Sequence, residues 1–279
     1  MSAIASEAVT DVLVGAGAAV ERLRGKFVVV KIGGSALGAV DTAIEDIVRL
    51  RGLGIDVVVV HGGGAVISSW LKRIGKEPRF VNGLRVTDEE TMELVVMTLA
   101  GKVNKDLVAD LQRHGGRAIG ICGIDGGTLV GVRKDEQLGL VGRVTRVDTT
   151  AIRALCAAGI VPVIAPIALG EGRDILNLNA DTAAGEIAVA LEADRVVYLT
   201  DVAGVLDAEK RLIRTLTAAE ARGLIASGVI SGGMIPKVEA CLQGLSATTS
   251  SCIIDGRVAH ALLRELFSEG GFGTTFRSG

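Results

Sequence analysis

Aromatic residues make up only 3% of the 279-residue sequence, so its hydrophobic core must be built from aliphatic side chains. Such side chains suit buried parallel strands and helices rich in alanine and leucine. The four cysteines, at positions 122, 156, 241 and 252, are scattered and form no Cys-x-x-Cys pair. This spacing argues against a disulfide framework and against a cysteine metal site. We interpret these cysteines as small core residues in a reducing compartment.

The sequence also has little net charge and no long hydrophobic run. A formal charge of −2 offers no basic surface for nucleic acid or for an anionic membrane. No apolar run approaches the ~18 residues that a membrane span requires. The N-terminus lacks the basic region and apolar stretch of a signal peptide. We therefore expect a cytoplasmic protein that binds neither nucleic acid nor membrane.

Several common nucleotide-binding and catalytic motifs are missing. None of the three Gly-Lys pairs is followed by serine or threonine, which excludes a Walker-type phosphate loop. No Gly-x-Gly-x-x-Gly follows a predicted strand, and the HRD, DFG and HExxH motifs are absent. These absences argue against a classical dinucleotide fold, a protein kinase and a zinc protease.

The most informative stretch that is present runs from Val57 to Gly64, with the sequence VVVVHGGG. Four consecutive valines are typical of a strand buried on both faces in a parallel sheet. The glycines then precede a helical pattern from Ala65 to Leu71. Bare backbone N–H groups at a helix N-terminus form an anion site. A tight turn without a ligand is the alternative, because a glycine loop alone is weak evidence.

Strands alternate with helices along the rest of the chain, which predicts an α/β fold with a mainly parallel sheet. The first strand is predicted at Phe27–Ile32, and an antiparallel hairpin is predicted from residues 128–133 and 138–147. Thr87 and Glu90 form the pattern of a capping box that would start a helix running to about residue 113. We expect a final strand at the edge of the sheet.

Three regions are predicted. Residues 1–25 include an amphipathic helix, Ser6–Arg24, which Gly15 and Gly17 weaken and which would gain stability by docking on another subunit. The polar loop Glu171–Arg173 suggests a boundary between two lobes, residues 26–172 and residues 173–279.

Two lysines and one aspartate have the chemistry of phosphoryl transfer. Lys31 ends a strand before two glycines, at the sheet edge where open α/β folds bind ligands. Lys237 follows a glycine-led helix entry, and two such lysines could converge on phosphate oxygens. Asp181 would then hold the lysines in position, or it would be a plain helix cap. Solvated lysines at ordinary strand and helix ends are the alternative.

Arg85 lies in a turn-rich loop. A guanidinium there can hold a carboxylate through two parallel hydrogen bonds. An exposed loop arginine is the alternative.

Six motifs occur in one order along the chain. They are Lys31-Ile-Gly-Gly-Ser, His61-Gly-Gly-Gly, Asn82-Gly-Leu-Arg-Val-Thr-Asp88, Leu176-Asn-Leu-Asn-Ala-Asp181, Asp201-Val-Ala-Gly-Val-Leu206 and Gly233-Met-Ile-Pro-Lys237. This series resembles the amino-acid kinase superfamily, and within it the members that act on N-acetyl-L-glutamate. The resemblance extends over nearly the whole chain, from about residue 26 to residue 274. It implies an open αβα sandwich of two lobes with a mainly parallel central sheet.

The resemblance also implies an activity and assigns residues to it. The reaction is ATP-dependent phosphorylation of the side-chain carboxylate of N-acetyl-L-glutamate, an early step of arginine biosynthesis, with acetylglutamate in the first lobe and nucleotide in the second. The implied catalytic residues are Lys31, Lys237 and Asp181, and the implied acetylglutamate-binding residues are Gly63, Gly64, Arg85 and Asn177. The implied nucleotide-binding residues are Gly33, Gly34, Asp201, Val202, Gly204, Val205, Leu206, Ser231 and Gly232. Magnesium would enter mainly with ATP, since the sequence has no dense carboxylate cage.

The proposed chemistry does not require a histidine base. A carboxylate nucleophile is already ionised at pH 7. We therefore interpret His61 as a hydrogen-bonded residue at a strand end.

The N-terminal helix and the segment from His260 to Thr274 resemble those of members inhibited by arginine. This implies an arginine effector, with His260, Glu269 and Gly271 as its residues. It also implies a homodimer, assembled into a ring-like hexamer of dimers through the N-terminal helix. One departure weakens this implication: such members commonly have Lys-Tyr-Gly-Gly-Asn, where this chain has Lys31-Ile-Gly-Gly-Ser35.

Two alternatives remain at the level of the sequence. One is the related kinase of α-aminoadipate attached to an acidic carrier protein, although the intact loop around Arg85 and the near-neutral charge favour acetylglutamate. The other is an amino-acid-sensing module without turnover. Retention of Lys31, Asp181 and Lys237 together speaks against it, because a sensor does not need this set.

Overall fold

The structure is a computed structural model that describes residues 15–33, 41–245, 249–268 and 270–278. Its strands are β1 (Phe27–Ile32), β2 (Asp56–His61), β3 (Phe80–Val81), β4 (Leu84–Arg85), β5 (Ala118–Cys122), β6 (Leu129–Arg133), β7 (Gly142–Val147), β8 (Val161–Ala165), β9 (Ile167–Gly170), β10 (Ile175–Asn177), β11 (Arg195–Thr200), β12 (Thr215–Thr217), β13 (Ser250–Asp255) and β14 (Thr274–Arg277). Its helices are α1 (residues 15–23), α2 (Asp41–Gly52), α3 (Gly64–Arg73), α4 (Glu89–Val96), α5 (Asn104–Arg113), α6 (Thr150–Ala157), α7 (Ala180–Leu191), α8 (Ala218–Ala226), α9 (Met234–Gln243) and α10 (Ala261–Phe267).

A central sheet of eight strands has the order β12-β14-β13-β11-β1-β2-β8-β5. The strand β1 lies in its interior and pairs in parallel with both β2 and β11. The first strand and the mainly parallel sheet are therefore as predicted. Only β14 runs antiparallel to a neighbour in this sheet, against β13.

The two faces of the central sheet are both covered, which explains why its strands are continuous apolar runs. Alternate residues of β1 and β2 enter different hydrophobic clusters: Val58 and Val60 pack with α7, whereas Val57 and Val59 pack with α2 and α5. All four valines are fully buried. A strand buried on both faces needs apolar side chains at every position, not at alternate positions.

A smaller sheet has four strands in the order β10-β9-β6-β7. Its β6–β7 pair is the predicted antiparallel hairpin. The predicted lobe boundary falls in the turn that joins the antiparallel strands β9 and β10. The division into two lobes stays a prediction.

Three local predictions need correction. Asp88, not Thr87, is the N-cap of α4, because its side chain accepts a hydrogen bond from the Thr91 N–H. The predicted long helix does reach Arg113, but a π-helical segment, Met97–Val103, lies between α4 and α5. The last strand, β14, is not at the sheet edge, since it lies between β12 and β13.

The N-terminal helix is described from residue 15 to residue 23. Its Leu23 is completely buried, and Arg22 lies 3.3 Å from the Asp194 carboxylate. The earlier part of the predicted Ser6–Arg24 helix lies outside the described residues. Within the described ranges, none of the helices has the length and apolar character needed to cross a membrane.

Candidate active site

A cavity of about 230 Å³ opens where β1 and β2 end. The strands deliver Lys31 and the glycines that follow His61, because parallel strands present their carboxyl ends at one edge of the sheet. The cavity brings together six of the predicted site residues from four separate motifs: Lys31, Gly63, Gly64, Arg85, Asn177 and Asp181. We call it the first cavity.

Lys31 and Asp181 form an ion pair inside the first cavity, with 2.5 Å between Nζ and Oδ1. Lys31 is only 8% exposed, so this carboxylate compensates a nearly buried ammonium group. Asp181 is not a helix cap, because Asn179 fills that position and accepts hydrogen bonds from the N–H groups of Asp181 and Thr182. The alternative reading of Asp181 as a cap is therefore wrong, and its carboxylate is left for Lys31.

The glycine loop approaches the neighbouring helix too closely for side chains. A Cβ atom at Gly63 would lie 2.5 Å from the Leu99 side chain, which comes from the π-helical segment. Real Cβ contacts are not that short, so a side chain at Gly63 would force the end of the Leu99 side chain to move. The backbone of the loop is thereby exposed to the cavity, which Gly62, Gly63 and Gly64 all line.

Arg85 is held in place through its Nη2 atom. Its Nη2 donates to the Gly64 carbonyl oxygen at 2.7 Å and to Ser68 Oγ at 2.8 Å, while the Phe80 ring lies 4.8 Å from the guanidinium carbon. Its Nη1 is buried, with no hydrogen-bond partner among the described residues. Burial lowers the pKa of Arg85, but a guanidinium remains charged at neutral pH. An unpaired cationic donor of this kind suits the carboxylate of a ligand.

Asn177 joins two of the motifs. Its amide Nδ2 donates to Thr87 Oγ1 at 3.1 Å, and Thr87 Oγ1 donates in turn to the Arg85 carbonyl oxygen at 2.9 Å. The loop that carries Arg85 is thus tied to the strand that carries Asn177. Sequence reasoning missed five residues that line the first cavity and lie outside the six motifs: Ile67, Phe80, Leu99, Val141 and Pro166.

A second cavity, of about 330 Å³, follows the end of β11. Five predicted nucleotide residues line it: Val202, Gly204, Val205, Leu206 and Ser231. Asp201 and Gly232 are neighbours of these residues along the chain but do not line the cavity. Gly204 has φ +143°, and a Cβ atom there would lie 2.5 Å from Thr274 Oγ1, so glycine is required. Ala203, which lies in the predicted stretch Asp201–Leu206, also lines it, and Val229, Ile230 and Met234 complete the lining.

Lys237 lies in the first half of α9 and lines neither of these two cavities. The helix α9 nevertheless packs beside α7, because the Tyr198 hydroxyl lies 3.3 Å from the Asp181 carbonyl oxygen and 3.2 Å from that of Ala240. Burial raises the pKa of the Cys241 thiol well above its usual value, and the charges of Asp181 and Lys237 act on it in opposite directions. Lys237 and Asp181 are therefore carried by adjacent helices.

Of the two predicted phosphate-binding glycines, Gly33 follows β1 directly. Gly33 donates its N–H to the Leu199 carbonyl oxygen at 3.3 Å, and a Cβ atom there would lie 3.4 Å from Lys31 Nζ. Gly34 lies outside the described residues.

The predicted effector residues are in a different part of the molecule. His260 has a positive φ of 55°, and its Nδ1 lies 2.7 Å from the buried Asp46 carboxylate. Burial raises the pKa of Asp46. A Cβ atom at Gly271 would lie 3.0 Å from both carboxylate oxygens of the buried Glu265. Glu269 lies outside the described residues.

Among the described residues, no group of three or more histidine, cysteine, aspartate or glutamate side chains could hold a metal ion.

Comparison with known proteins identifies the family. Residues 26–255 match the model of the amino acid kinase family. The chain belongs to this family. An acetylglutamate kinase of Novosphingobium aromaticivorans is 48% identical over 92% of each chain. One from Zymomonas mobilis is 49% identical over 91% of this chain and 90% of its own length.

A solved structure agrees with this assignment. N-acetylglutamate synthase from Neisseria gonorrhoeae, complexed with coenzyme A and L-arginine, superposes with a TM-score of 0.82 and 25% sequence identity over 96% of this chain. The present chain spans about 65% of the synthase chain. The predicted amino-acid kinase fold is confirmed.

Proposed function

We propose that the protein transfers the γ-phosphoryl group of ATP to the side-chain carboxylate of N-acetyl-L-glutamate, yielding N-acetylglutamyl 5-phosphate and ADP. The observation that carries the proposal is the first cavity, which Arg85 and the Lys31–Asp181 pair line together. Arg85 would hold one carboxylate of the substrate while Lys31 serves the reacting one. The two acetylglutamate kinases described above support this choice of substrate.

The residues supply charge and position, and none of them acts as a base. The attacking carboxylate is ionised at neutral pH, so its repulsion from the phosphoryl group is the main obstacle. Lys31, Lys237 and the backbone N–H groups of the glycine loop would offset that repulsion, and Asp181 would orient the lysines. ATP would occupy the second cavity and bring Mg²⁺ on its phosphates.

A coupled assay of ADP release tests the substrate. The purified chain should release ADP with ATP, Mg²⁺ and acetylglutamate, and much less with aminoadipate attached to a carrier protein. The opposite preference would favour the carrier-bound substrate. Binding of ATP and acetylglutamate without any ADP release would favour a sensing module.

We further propose that the enzyme serves arginine biosynthesis in the cytoplasm and that arginine inhibits it. The segment around His260 and Gly271 supports this proposal, as does the L-arginine bound to the similar synthase. Titration of arginine into the assay tests it, and an unchanged rate at millimolar arginine would refute it. The same proposal includes a homodimer and a ring-like hexamer of dimers through the N-terminal helix, which light scattering of the full chain would detect.

A further inference from the structure

A buried polar chain lies directly beneath the glycine loop of the first cavity. His61 and Asn104 are both 0% exposed, and they meet through His61 Nε2 and Asn104 Nδ2 at 3.2 Å. On the far side, Lys105 Nζ donates to Asn104 Oδ1 at 2.9 Å. On the near side, His61 Nδ1 lies 2.9 Å from the Gly62 carbonyl oxygen. A buried chain of this kind requires an explanation, because burying polar groups is costly.

The surroundings of Asn104 determine which atoms donate. Its Nδ2 faces the carbonyl oxygens of Val163 at 2.9 Å and Ile121 at 3.3 Å, while its Oδ1 faces the Lys105 ammonium. A reversed amide would place oxygen against two carbonyl oxygens and N–H groups against an ammonium. The two hydrogens of Asn104 Nδ2 are shared among three acceptors, the two carbonyl oxygens and His61 Nε2. A proton on Nε2 would point at this N–H group, so Nε2 carries none.

A neutral His61 then has its proton on Nδ1, from which it donates to the Gly62 carbonyl oxygen. Burial lowers the pKa of His61 to about 4, so the neutral ring predominates at physiological pH. All hydrogen bonds in this buried polar chain therefore run in the same donor-to-acceptor direction. They lead from the Lys105 ammonium through Asn104 and His61 to the backbone of the glycine loop.

A planar trans peptide points its N–H opposite to its C=O. When His61 draws the Gly62 carbonyl oxygen inward, the N–H of Gly63 is directed away from His61, on the side of the first cavity. We propose that His61, oriented by Asn104, is a positioning residue that fixes the Gly62–Gly63 peptide so that the Gly63 N–H can donate to an oxygen of the reacting groups. The inference rests on the function proposed above.

The π-helical segment explains how Asn104 and Leu99 reach His61 and the glycine loop. It ends at Val103, so Asn104 follows it directly, and it also supplies Leu99, which packs on Gly63. Gly120 makes room on the opposite side, since a Cβ atom there would overlap the Asn104 side chain. One segment therefore positions both contacts to the glycine loop. Single π-helical turns are often found at functional sites.

Two substitutions of His61 separate hydrogen bonding from packing. In His61→Asn the side-chain amide nitrogen takes the place of Nδ1 and can still donate to the Gly62 carbonyl oxygen. In His61→Gln the longer side chain reaches towards Asn104 but has no donor at the Nδ1 position. We expect His61→Asn to keep kcat within about 5-fold of the natural protein, and His61→Gln to lower it by on the order of 30-fold. The KM for ATP should change little in both.

Two lysine variants extend the test to Lys105, at the far end of the buried chain of hydrogen bonds. Lys105→Met should lower kcat by roughly 3-fold, because Asn104 loses the group that orients its amide. Lys102→Met is the matched control, since this exposed lysine lies three residues earlier and pairs only with Asp106. It should leave the rate unchanged. Equal rates for the two histidine variants, or losses that follow their melting temperatures, would overturn the inference.

A measurement without turnover keeps the inference separate from the proposed function. The protein has three histidines, so ¹⁵N labelling of the rings and comparison with His61→Asn assigns the His61 signals. We expect a protonated Nδ1 and an unprotonated Nε2 at neutral pH. The reverse tautomer would refute the inference even if the enzyme is active. Absence of ADP release by the natural protein, with the expected tautomer present, would refute the proposed function alone.

Discussion

At the scale of single residues, the site depends on two nearly buried cations, Lys31 and Arg85. Each of them is held by a different kind of partner. Lys31 is neutralised by Asp181, whereas Arg85 is held by neutral oxygens of Gly64 and Ser68. An ion pair inside the protein leaves Lys31 in place when no ligand is bound. Neutral partners leave the full charge of Arg85 for a ligand, because no carboxylate of the described chain pairs with it.

Arg85→Lys tests the role assigned to the guanidinium. A lysine has its three donors on a single nitrogen, so it cannot fill both the Nη2 position beside Gly64 and Ser68 and the Nη1 position. We expect the KM for acetylglutamate to rise by roughly 10- to 100-fold with a smaller change in kcat, as for an interaction made equally in ground and transition states. Arg133→Lys, on an exposed arginine that pairs with Asp174, is the control. A fall in kcat at unchanged KM would contradict the assigned role.

His61 makes stability depend on pH. Its pKa is about 4 in the folded protein and 6.5 in an unfolded chain, so protons bind more tightly to the unfolded state. The associated stability is present in full above pH 6.5 and is lost as the pH falls towards 4, by up to about 3 kcal/mol. Urea unfolding at several pH values should show this loss in the natural protein and a smaller one in His61→Asn. Identical pH profiles would contradict it.

At the scale of helices and strands, the contact between α7 and α9 places two of the predicted catalytic residues, Asp181 and Lys237, on adjacent helices. The helices cross closely at Gly185, where a Cβ atom would lie 3.2 Å from Gly244 Cα and 3.3 Å from the Tyr198 hydroxyl oxygen. Tyr198 comes from β11, next to Lys31 of β1 in the sheet. The positions of Asp181 and Lys237 therefore depend on small residues at one crossing.

Gly185→Ala should separate these helices. The added methyl group meets backbone atoms, which do not yield easily, so we expect a loss of about 1–3 kcal/mol in unfolding free energy. We also expect a fall in kcat, since Asp181 and Lys237 would move apart. Gly223→Ala in α8 is the matched control, because a Cβ atom there meets nothing within 4 Å. It should be neutral or stabilising by up to about 1 kcal/mol, and a similar loss in both variants would contradict the packing argument.

At the scale of the whole molecule, the two cavities lie at the ends of different strands of one sheet. The first cavity follows β1 and β2, and the second follows β11, which is paired directly with β1. Neighbouring parallel strands open at the same edge, so an acceptor in one cavity and a nucleotide in the other can share a reacting group. Lys237 is the residue whose role depends most on this arrangement.

Lys237→Ala tests that role. The lysine lines neither cavity, so its proposed contact is with the phosphoryl group during transfer and not with bound acetylglutamate. We expect kcat to fall by on the order of 100-fold, while acetylglutamate binding, measured by calorimetry, changes by less than about 3-fold. Lys72→Ala at the end of α3 should leave both unchanged. Weakened acetylglutamate binding with little change in kcat would show that the role is wrong.

The sequence by itself determined the features that depend on local pattern. Continuous apolar runs predicted buried parallel strands, and six ordered motifs predicted the family, because burial on two faces and phosphate chemistry each restrict which residue types are tolerated. The same motifs predicted six of the residues that line the first cavity.

Only the tertiary structure decided what depends on contacts between distant segments. Asn179 and Asp88 are the caps, although Asp181 and Thr87 had equally suitable side chains, because capping follows backbone geometry that neighbours impose. The π-helical segment, the interior place of β14 and the burial of His61 against Asn104 likewise have no signal in local sequence. Each of these features arises from packing between residues that lie far apart in the chain. Hydrophobic periodicity reports only local pattern and therefore does not predict such packing.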